Sequence, residues 1–140
     1  MTVGAICTRV PETTSRLDTI RTAAEQMAGQ DVGALIVTDT EGHPEGILTD
    51  RDIVVRCVAE GLSPGDTTVG DIMTGGVTTV LQETRVEVAL EMMANEEVRR
   101  LAVVNEADRV VGIITLDDIM GGIVEQTEEV GRLLRGQVHV

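Results

Sequence analysis

The chain has 140 residues, 42% of them hydrophobic and 25% charged, which is the balance of a globular protein rather than a disordered one. Its eleven basic residues are all arginines, and twenty-four acidic residues bring the net charge to −13. This acidity and the lack of Phe, Tyr and Trp argue against a nucleic acid partner, since that binding relies on basic surfaces and stacked aromatic rings. The lack of Lys excludes Schiff-base chemistry and a G-x-x-x-x-G-K-[ST] phosphate loop.

Neither a targeting segment nor a metal site is expected. The first ten residues lack the charged start and apolar run of a signal peptide, and no stretch is long and apolar enough to span a membrane. We therefore expect a cytoplasmic protein without a membrane partner. Cys7 and Cys57 form no C-x-x-C motif, and with His43 and His139 they match no compact zinc spacing, so we expect free thiols and no bound metal.

The first half of the chain alternates helical and strand patterns. Apolar residues at helical spacing predict a helix from Ile20 to Met27, which Gly29 is placed to end. The run Ala34 to Val37 predicts a strand, and Gly46 to Leu48 predicts a second strand after a polar turn. A helical stretch from Ile53 to Ala59 follows.

The second half repeats this order after a Gly-rich connection from Gly61 to Gly76, which contains a possible helical turn at Asp71 to Met73. The patterns then predict a helix over Val86 to Met93, strands at Leu101 to Val104 and Val110 to Ile114, and a last helix that begins near Leu116.

The two halves are copies of one unit. An offset of 66 residues places Gly46 on Gly112 and needs no gap from Thr13 to Ile53. The segment Gly46 to Ile53 then overlays its counterpart with identities at the Gly, the first Ile, the Thr, the second Asp and the last Ile. We predict an α+β protein of two β-α-β-β-α repeats, residues 1–65 and 66–140, packed face to face about a pseudo-twofold axis.

A T-x-x-D motif follows the second predicted strand of each repeat, as Thr49 with Asp52 and Thr115 with Asp118. This spacing places a hydroxyl and a carboxylate on one face of a first helical turn, where they can hold a ribose beside the backbone N–H groups that bind phosphate. The same spacing is also that of a capping box, in which both side chains only satisfy backbone donors. Both interpretations stay open from the motif alone.

The doubled unit and its Gly-aliphatic-aliphatic-Thr-x-x-Asp-Ile ending closely resemble the CBS domain pair, over Thr13 to about Glu125. The resemblance implies that Asp52 and Asp118 hold ribose hydroxyls. It also implies that Thr49 and Thr115 contact the ribose or a phosphate.

Two further pairs of candidates rest on the same resemblance. Arg99 and Arg100 are similar to the basic pair that reaches toward phosphates in several nucleotide-binding members, although they could also be an ordinary solvated pair. In the first repeat Thr13 or Thr14, and in the second repeat Thr79, lie near the position whose surrounding backbone often borders the adenine.

The resemblance implies a non-catalytic regulatory sensor with no required cofactor and no catalytic residues. Its ligand would be an adenine nucleotide or a related adenosyl compound, namely AMP, ADP, ATP or S-adenosylmethionine, bound in the cleft between the repeats. It also implies a disc-like homodimer formed through helices, and a regulated partner protein. The alternative is a scaffold for dimerisation or docking that binds no nucleotide.

Overall fold

The computed structural model describes residues 1–9 and 13–134. Its elements follow one another in chain order: α1 (Val3–Ile6), β1 (Thr8–Arg9), β2 (Thr13–Thr14), α2 (Ile20–Gln30), β3 (Ala34–Thr38), β4 (Pro44–Thr49), α3 (Asp50–Ile53), a π-helical turn (Val54–Val58), α4 (Val69–Ile72), β5 (Thr74–Gly75), β6 (Thr79–Leu81), α5 (Val86–Glu96), β7 (Arg100–Val104), β8 (Val110–Thr115) and α6 (Leu116–Leu134). The predicted helices and strands of both repeats are confirmed, including the short strand before the first helix of each repeat.

Two details of the first repeat differ from the prediction. Helix α2 does not end at Gly29 but continues to Gln30, and Asp31 ends it with a left-handed φ of 54° while its N–H donates to the Met27 carbonyl. The prediction was wrong because an Asp, rather than a Gly, adopts the left-handed conformation. The last helix also begins earlier than Ile53, directly after β4, because Thr49 caps it.

The strands form two four-stranded sheets, ordered β2-β3-β4-β5 and β1-β8-β7-β6. In each sheet the first strand of the repeat runs parallel to the second, and the other neighbours are antiparallel. The registers are related by the same offset of 66, since Ile47 pairs with Thr74 and Ile113 pairs with Thr8. This equivalence confirms the α+β architecture with two related halves.

Each sheet is completed by a segment that precedes the other repeat in sequence. The α1–β1 segment packs on the second repeat and inserts Val3 into its core, whereas α4–β5 packs on the first repeat and inserts Val69 and Ile72. The offset of 66 extends to these segments, which share Val-Gly-x-Ile-x-Thr. The predicted boundary between residues 65 and 66 stays a prediction, because these segments cross between the two halves.

The core has two apolar clusters, one beneath the helices of each repeat. Ile36 and Ala102, which the offset pairs, are also buried but belong to neither cluster. Since neighbouring strand residues point to opposite faces, these two side chains point away from the helices of their own repeat. Their burial therefore requires cover from the other repeat, and Val110 N–H donates to the Gly42 carbonyl across the two halves at 2.9 Å.

The glycine that opens each repeated motif permits this exchange of strands. A Cβ on Gly46 would lie 2.5 Å from the Thr74 carbonyl oxygen. A Cβ on Gly112 would lie 2.8 Å from both the Thr8 carbonyl oxygen and the Cys7 sulfur. Each motif glycine is therefore required by close approach of a neighbouring strand.

We expect Gly46→Ala and Gly112→Ala each to lower the free energy of unfolding by about 1–3 kcal/mol, because the added methyl group meets main-chain atoms that cannot move away freely. Gly29→Ala is the matched control, since a Cβ there meets nothing within 4 Å. We expect it to be neutral or to stabilise the protein by about 0.5–1 kcal/mol as a helix substitution. Denaturant unfolding followed by far-ultraviolet circular dichroism measures all three, and equal effects would contradict this assignment.

Candidate functional site

The first T-x-x-D motif is a closed capping box at the junction of β4 and α3. Thr49 N–H donates to Asp52 Oδ2 at 3.0 Å, and Asp52 N–H donates to Thr49 Oγ1 at 3.1 Å. The strand therefore turns into the helix with its first free backbone donors satisfied.

The second motif has the same geometry at the start of α6. Thr115 N–H donates to Asp118 Oδ2 at 3.0 Å, and Asp118 N–H donates to Thr115 Oγ1 at 3.1 Å. Capping uses one oxygen of the carboxylate in each repeat, so the second oxygen, Oδ1, can accept a hydrogen bond from a ligand. Capping and ligand binding are thus compatible in one side chain.

A cavity of about 220 Å³ lies in front of the second motif. Arg99, Arg100, Thr115, Leu116 and Asp117 line it. The sheet brings these residues together because Arg100 pairs with Thr115 across β7 and β8, and Leu116 N–H donates to the Arg99 carbonyl at 2.9 Å. Within residues 1–9 and 13–134, no ion pair engages either arginine.

The carboxylate of the first motif has a further basic neighbour. Arg56 Nε lies 4.0 Å from Asp52 Oδ1, and Arg56 Nη1 donates to the Ile72 carbonyl at 2.9 Å. The guanidinium therefore links this motif to α4, the segment exchanged onto the first repeat. The offset of 66 places Gly122 at the matching position of the second repeat, so Asp118 has no counterpart of this arginine.

The two threonines assigned near the adenine lie elsewhere. Thr79 lies in β6, an edge strand, and lines a separate cavity of about 400 Å³ together with Leu81, Val88 and Met92. Thr13 is exposed, and its carbonyl accepts a hydrogen bond from Gln26 Nε2 at 2.9 Å. The structure thus gathers Arg99, Arg100 and Thr115 in one cavity, and the residues that line it do not include Asp118, Thr13 or Thr79.

Cys7 is a neighbour of the second motif that the sequence did not assign. Burial raises the pKa of the Cys7 thiol, Arg9 opposes this shift, and the negative charge of Asp118 adds to it. The exchange of α1–β1 places this thiol beside a motif that lies more than 100 residues away in sequence. Extending the repeat alignment back to Val3 shows that the same segment precedes each repeat, but the repeat onto which it packs is visible only in the structure.

Two further features are absent from the described residues, 1–9 and 13–134. These residues contain no cluster of three or more His, Cys, Asp or Glu side chains that could hold a metal ion. They also include no helix with the length and apolar character needed to cross a lipid bilayer.

Family comparison decides the classification of this fold. The CBS domain model matches residues 3–58 and 69–125, and both matches begin at the exchanged segments. The chain belongs to the CBS domain family. Its two matched copies make it a CBS domain pair, as the sequence resemblance predicted.

Three similar proteins illustrate the range of this family. Uncharacterized protein MK0525 of Methanopyrus kandleri is 31% identical over 86% of this chain, and the match spans 61% of that relative, less than two thirds of its length. The CBS domain pair of protein MJ0100, solved in complex with 5′-methylthioadenosine and S-adenosyl-L-methionine, has a TM-score of 0.79 and 27% identity over 90% of this chain and 98% of that one. CBS domain protein PAE2072 from Pyrobaculum aerophilum, complexed with AMP, has a TM-score of 0.74 and 28% identity over 84% and 89%.

We expect Thr49→Ala and Thr115→Ala each to lower the free energy of unfolding by about 1 kcal/mol, because each removes the side-chain cap of a helix. Thr127→Ala within α6 is the control, since among the described residues its hydroxyl donates only to the Ile123 carbonyl of its own helix. Alanine favours a helix interior over threonine, so this change should be neutral or slightly stabilising. Equal free energies of unfolding for the three variants, measured by chemical unfolding, would contradict the capping role.

Proposed function

We propose that this CBS pair is a non-catalytic regulatory module that binds an adenine nucleotide or a related adenosyl compound in the cleft between its repeats. The observation that carries the proposal is the cavity that gathers Arg99, Arg100 and Thr115 at the start of α6. The complexes of MJ0100 with two adenosyl compounds and of PAE2072 with AMP support it, since these are similar CBS proteins.

In the second repeat the two arginines would bind the phosphate and Asp118 the ribose. A guanidinium presents paired N–H donors that match phosphate oxygens. Thr115 lines the same cavity, and Asp118 Oδ1 would accept a hydrogen bond from a ribose hydroxyl. At about 220 Å³ the cavity is smaller than the roughly 300–1,000 Å³ of a whole ligand pocket, so it fits the phosphate end while the base extends toward the cleft.

The remaining assigned residues would act at the first repeat and around the base. Thr49 and Asp52 would contact a ligand of the first repeat in the same way as their counterparts, and the backbone near Thr13 and Thr79 would border the adenine. Since the chain has no aromatic residue, the base would rest on aliphatic side chains.

Regulation would follow from differential affinity for two arrangements of the repeats. A ligand shifts a conformational equilibrium only as far as it binds one state better than another. The hydrogen bond between Val110 N–H and the Gly42 carbonyl joins the two repeats. A ligand bound in the cleft would change how the repeats contact each other. The cytoplasmic location and the regulated partner protein are parts of this proposal.

A homodimer formed through helices is a further part of it. Helix α6 exposes Met120, Ile123, Val130 and Leu133 at intervals of three or seven residues, which places them along one side of the helix. The helical turn at Val54–Val58, the counterpart of this region, exposes Val54, Val55 and Val58. A second copy would cover both apolar surfaces from water.

Purified protein should bind AMP in an equilibrium titration that is read by the ultraviolet band of adenine, which stands out because the chain lacks Trp and Tyr. Replacing Arg99 and Arg100 by Ala should weaken AMP binding by about tenfold to a hundredfold, the loss of charged hydrogen bonds. Added salt should also weaken binding, because it screens the exposed guanidinium groups.

Arg21→Ala is the matched control for that titration, since Arg21 is exposed and, among the described side chains, pairs only with Glu25 on its own helix. Its AMP affinity should equal that of the wild type. Failure of the wild type to bind AMP, adenosine or S-adenosylmethionine would refute the sensor and favour the scaffold. The capping boxes and exposed apolar helices are compatible with that second function, since both serve folding and association without a ligand.

Light scattering should give the mass of a dimer for the wild type and of a monomer for Ile123→Glu, because a charge in the apolar surface of α6 costs desolvation on association. Leu17→Glu is the control, since Leu17 is 80% exposed and precedes α2 rather than lying on the helical surface. A monomeric wild type, or a dimer that survives Ile123→Glu, would contradict the helical interface.

A further inference from the structure

The two repeats differ in charge where a phosphate would bind. The offset of 66 residues places Arg99, Arg100 and Leu116 of the second repeat on Gly33, Ala34 and Asp50 of the first. Two guanidinium groups in one repeat are thus replaced by small residues in the other, and an apolar side chain by a carboxylate. Asp117, which also lines the cavity of the second repeat, has Arg51 as its counterpart, so these positions together stay more positive in the second repeat than in the first.

The Asp50 carboxylate occupies the corner between β3 and α3. Its Oδ1 accepts a hydrogen bond from Arg51 N–H at 2.8 Å, and its Oδ2 lies 3.1 Å from the position that a Cβ on Gly33 would take. Asp50 N–H donates to the Gly33 carbonyl at 3.0 Å. The negative charge of Asp50 therefore lies at the start of α3 and close to Gly33, just before β3. It also occupies the Arg51 N–H, a backbone donor that a phosphate would need.

The same corner is open in the second repeat. Leu116 N–H makes the equivalent bond to the Arg99 carbonyl at 2.9 Å, but its side chain carries no charge. Among the described residues no side chain accepts a hydrogen bond from Asp117 N–H, the counterpart of Arg51 N–H. The cavity of about 220 Å³ is found at this position.

The motif carboxylates of the two repeats also differ, in whether their second oxygen already has a basic neighbour. Arg56 Nε lies 4.0 Å from Asp52 Oδ1, and Arg56 is also bonded to the Ile72 carbonyl, so a positive charge already faces this carboxylate. Gly122 replaces that arginine in the second repeat, and Asp118 Oδ1 stays available to a ribose.

We infer that the module is asymmetric, with one phosphorylated nucleotide bound per chain at the second repeat and with Asp50 excluding phosphate from the first. This inference rests on the proposed function and deepens it by naming the residue that sets specificity. The physical cause is repulsion between the Asp50 carboxylate and a phosphate that would bind the same corner, where the first repeat has no arginine pair to offset the charge.

Grafting the second corner onto the first tests the inference directly. The variant Gly33→Arg, Ala34→Arg, Asp50→Leu supplies the first repeat with the residues of the second. In a calorimetric titration with AMP, we expect one site per chain in the wild type and two in this variant. A correctly folded graft that still binds one AMP would overturn the inference.

The reverse graft tests whether the second corner binds phosphate, even if the first variant fails to fold. Arg99→Gly, Arg100→Ala, Leu116→Asp should weaken AMP binding at least about tenfold, the loss of charged hydrogen bonds. Adenosine, which lacks the phosphate, should lose less than about threefold, since the sugar and base contacts remain. Retention of wild-type AMP affinity, or equal losses for AMP and adenosine, would overturn the role of this corner in phosphate binding.

The wild-type titration distinguishes a failure of the asymmetry from a failure of the proposed function. Two AMP molecules per wild-type chain would overturn the asymmetry while the sensor stands. If the protein binds adenosine or S-adenosylmethionine but not AMP, the inferred phosphate site is wrong, while the proposed binding of an adenosyl compound stands. Absence of binding for all three compounds would refute the proposed function itself.

Discussion

The close approach of an exchanged strand to the motif glycines is the contact on which the rest of the molecule depends. Gly46 and Gly112 allow β5 and β1 to pair with β4 and β8. Those pairings carry α4 and α1 onto the opposite repeat, where Val69 and Val3 complete the apolar cores. Neither half of the chain therefore has a complete core of its own, so the exchange makes the two repeats one folding unit.

This exchange also determines what surrounds each candidate site. The residues just after each motif glycine end a strand and cap a helix, while the segment paired beside that strand comes from the start of the other repeat. As a result Cys7 lies near Asp118, and Arg56 links Asp52 to the carbonyl of Ile72. Two motifs with the same hydrogen bonds are thus placed in different electrostatic surroundings. In this way a repeated fold can give its two copies different preferences for a ligand.

The two interpretations of the T-x-x-D motif do not compete in the structure. Capping engages Oδ2 of each aspartate and leaves Oδ1 for another partner. A carboxylate fixed by a backbone hydrogen bond is also held in position before a ligand arrives, which lowers the entropy cost of binding. The helix cap can therefore serve the fold and prepare the site with one side chain.

The sequence by itself determined the repeated unit, its order of helices and strands, and the family, because periodic apolar patterns and a doubled motif are local properties of the chain. It also identified Arg99, Arg100 and Thr115, which the structure gathers in one cavity. Only the tertiary structure decided that Thr79 lines a separate cavity, that the connection contains strand β5, and that α1–β1 belongs spatially to the second repeat. Those features depend on pairing between segments distant in sequence, which no local pattern encodes, and they follow from the need of each sheet to satisfy its edge and bury its apolar face.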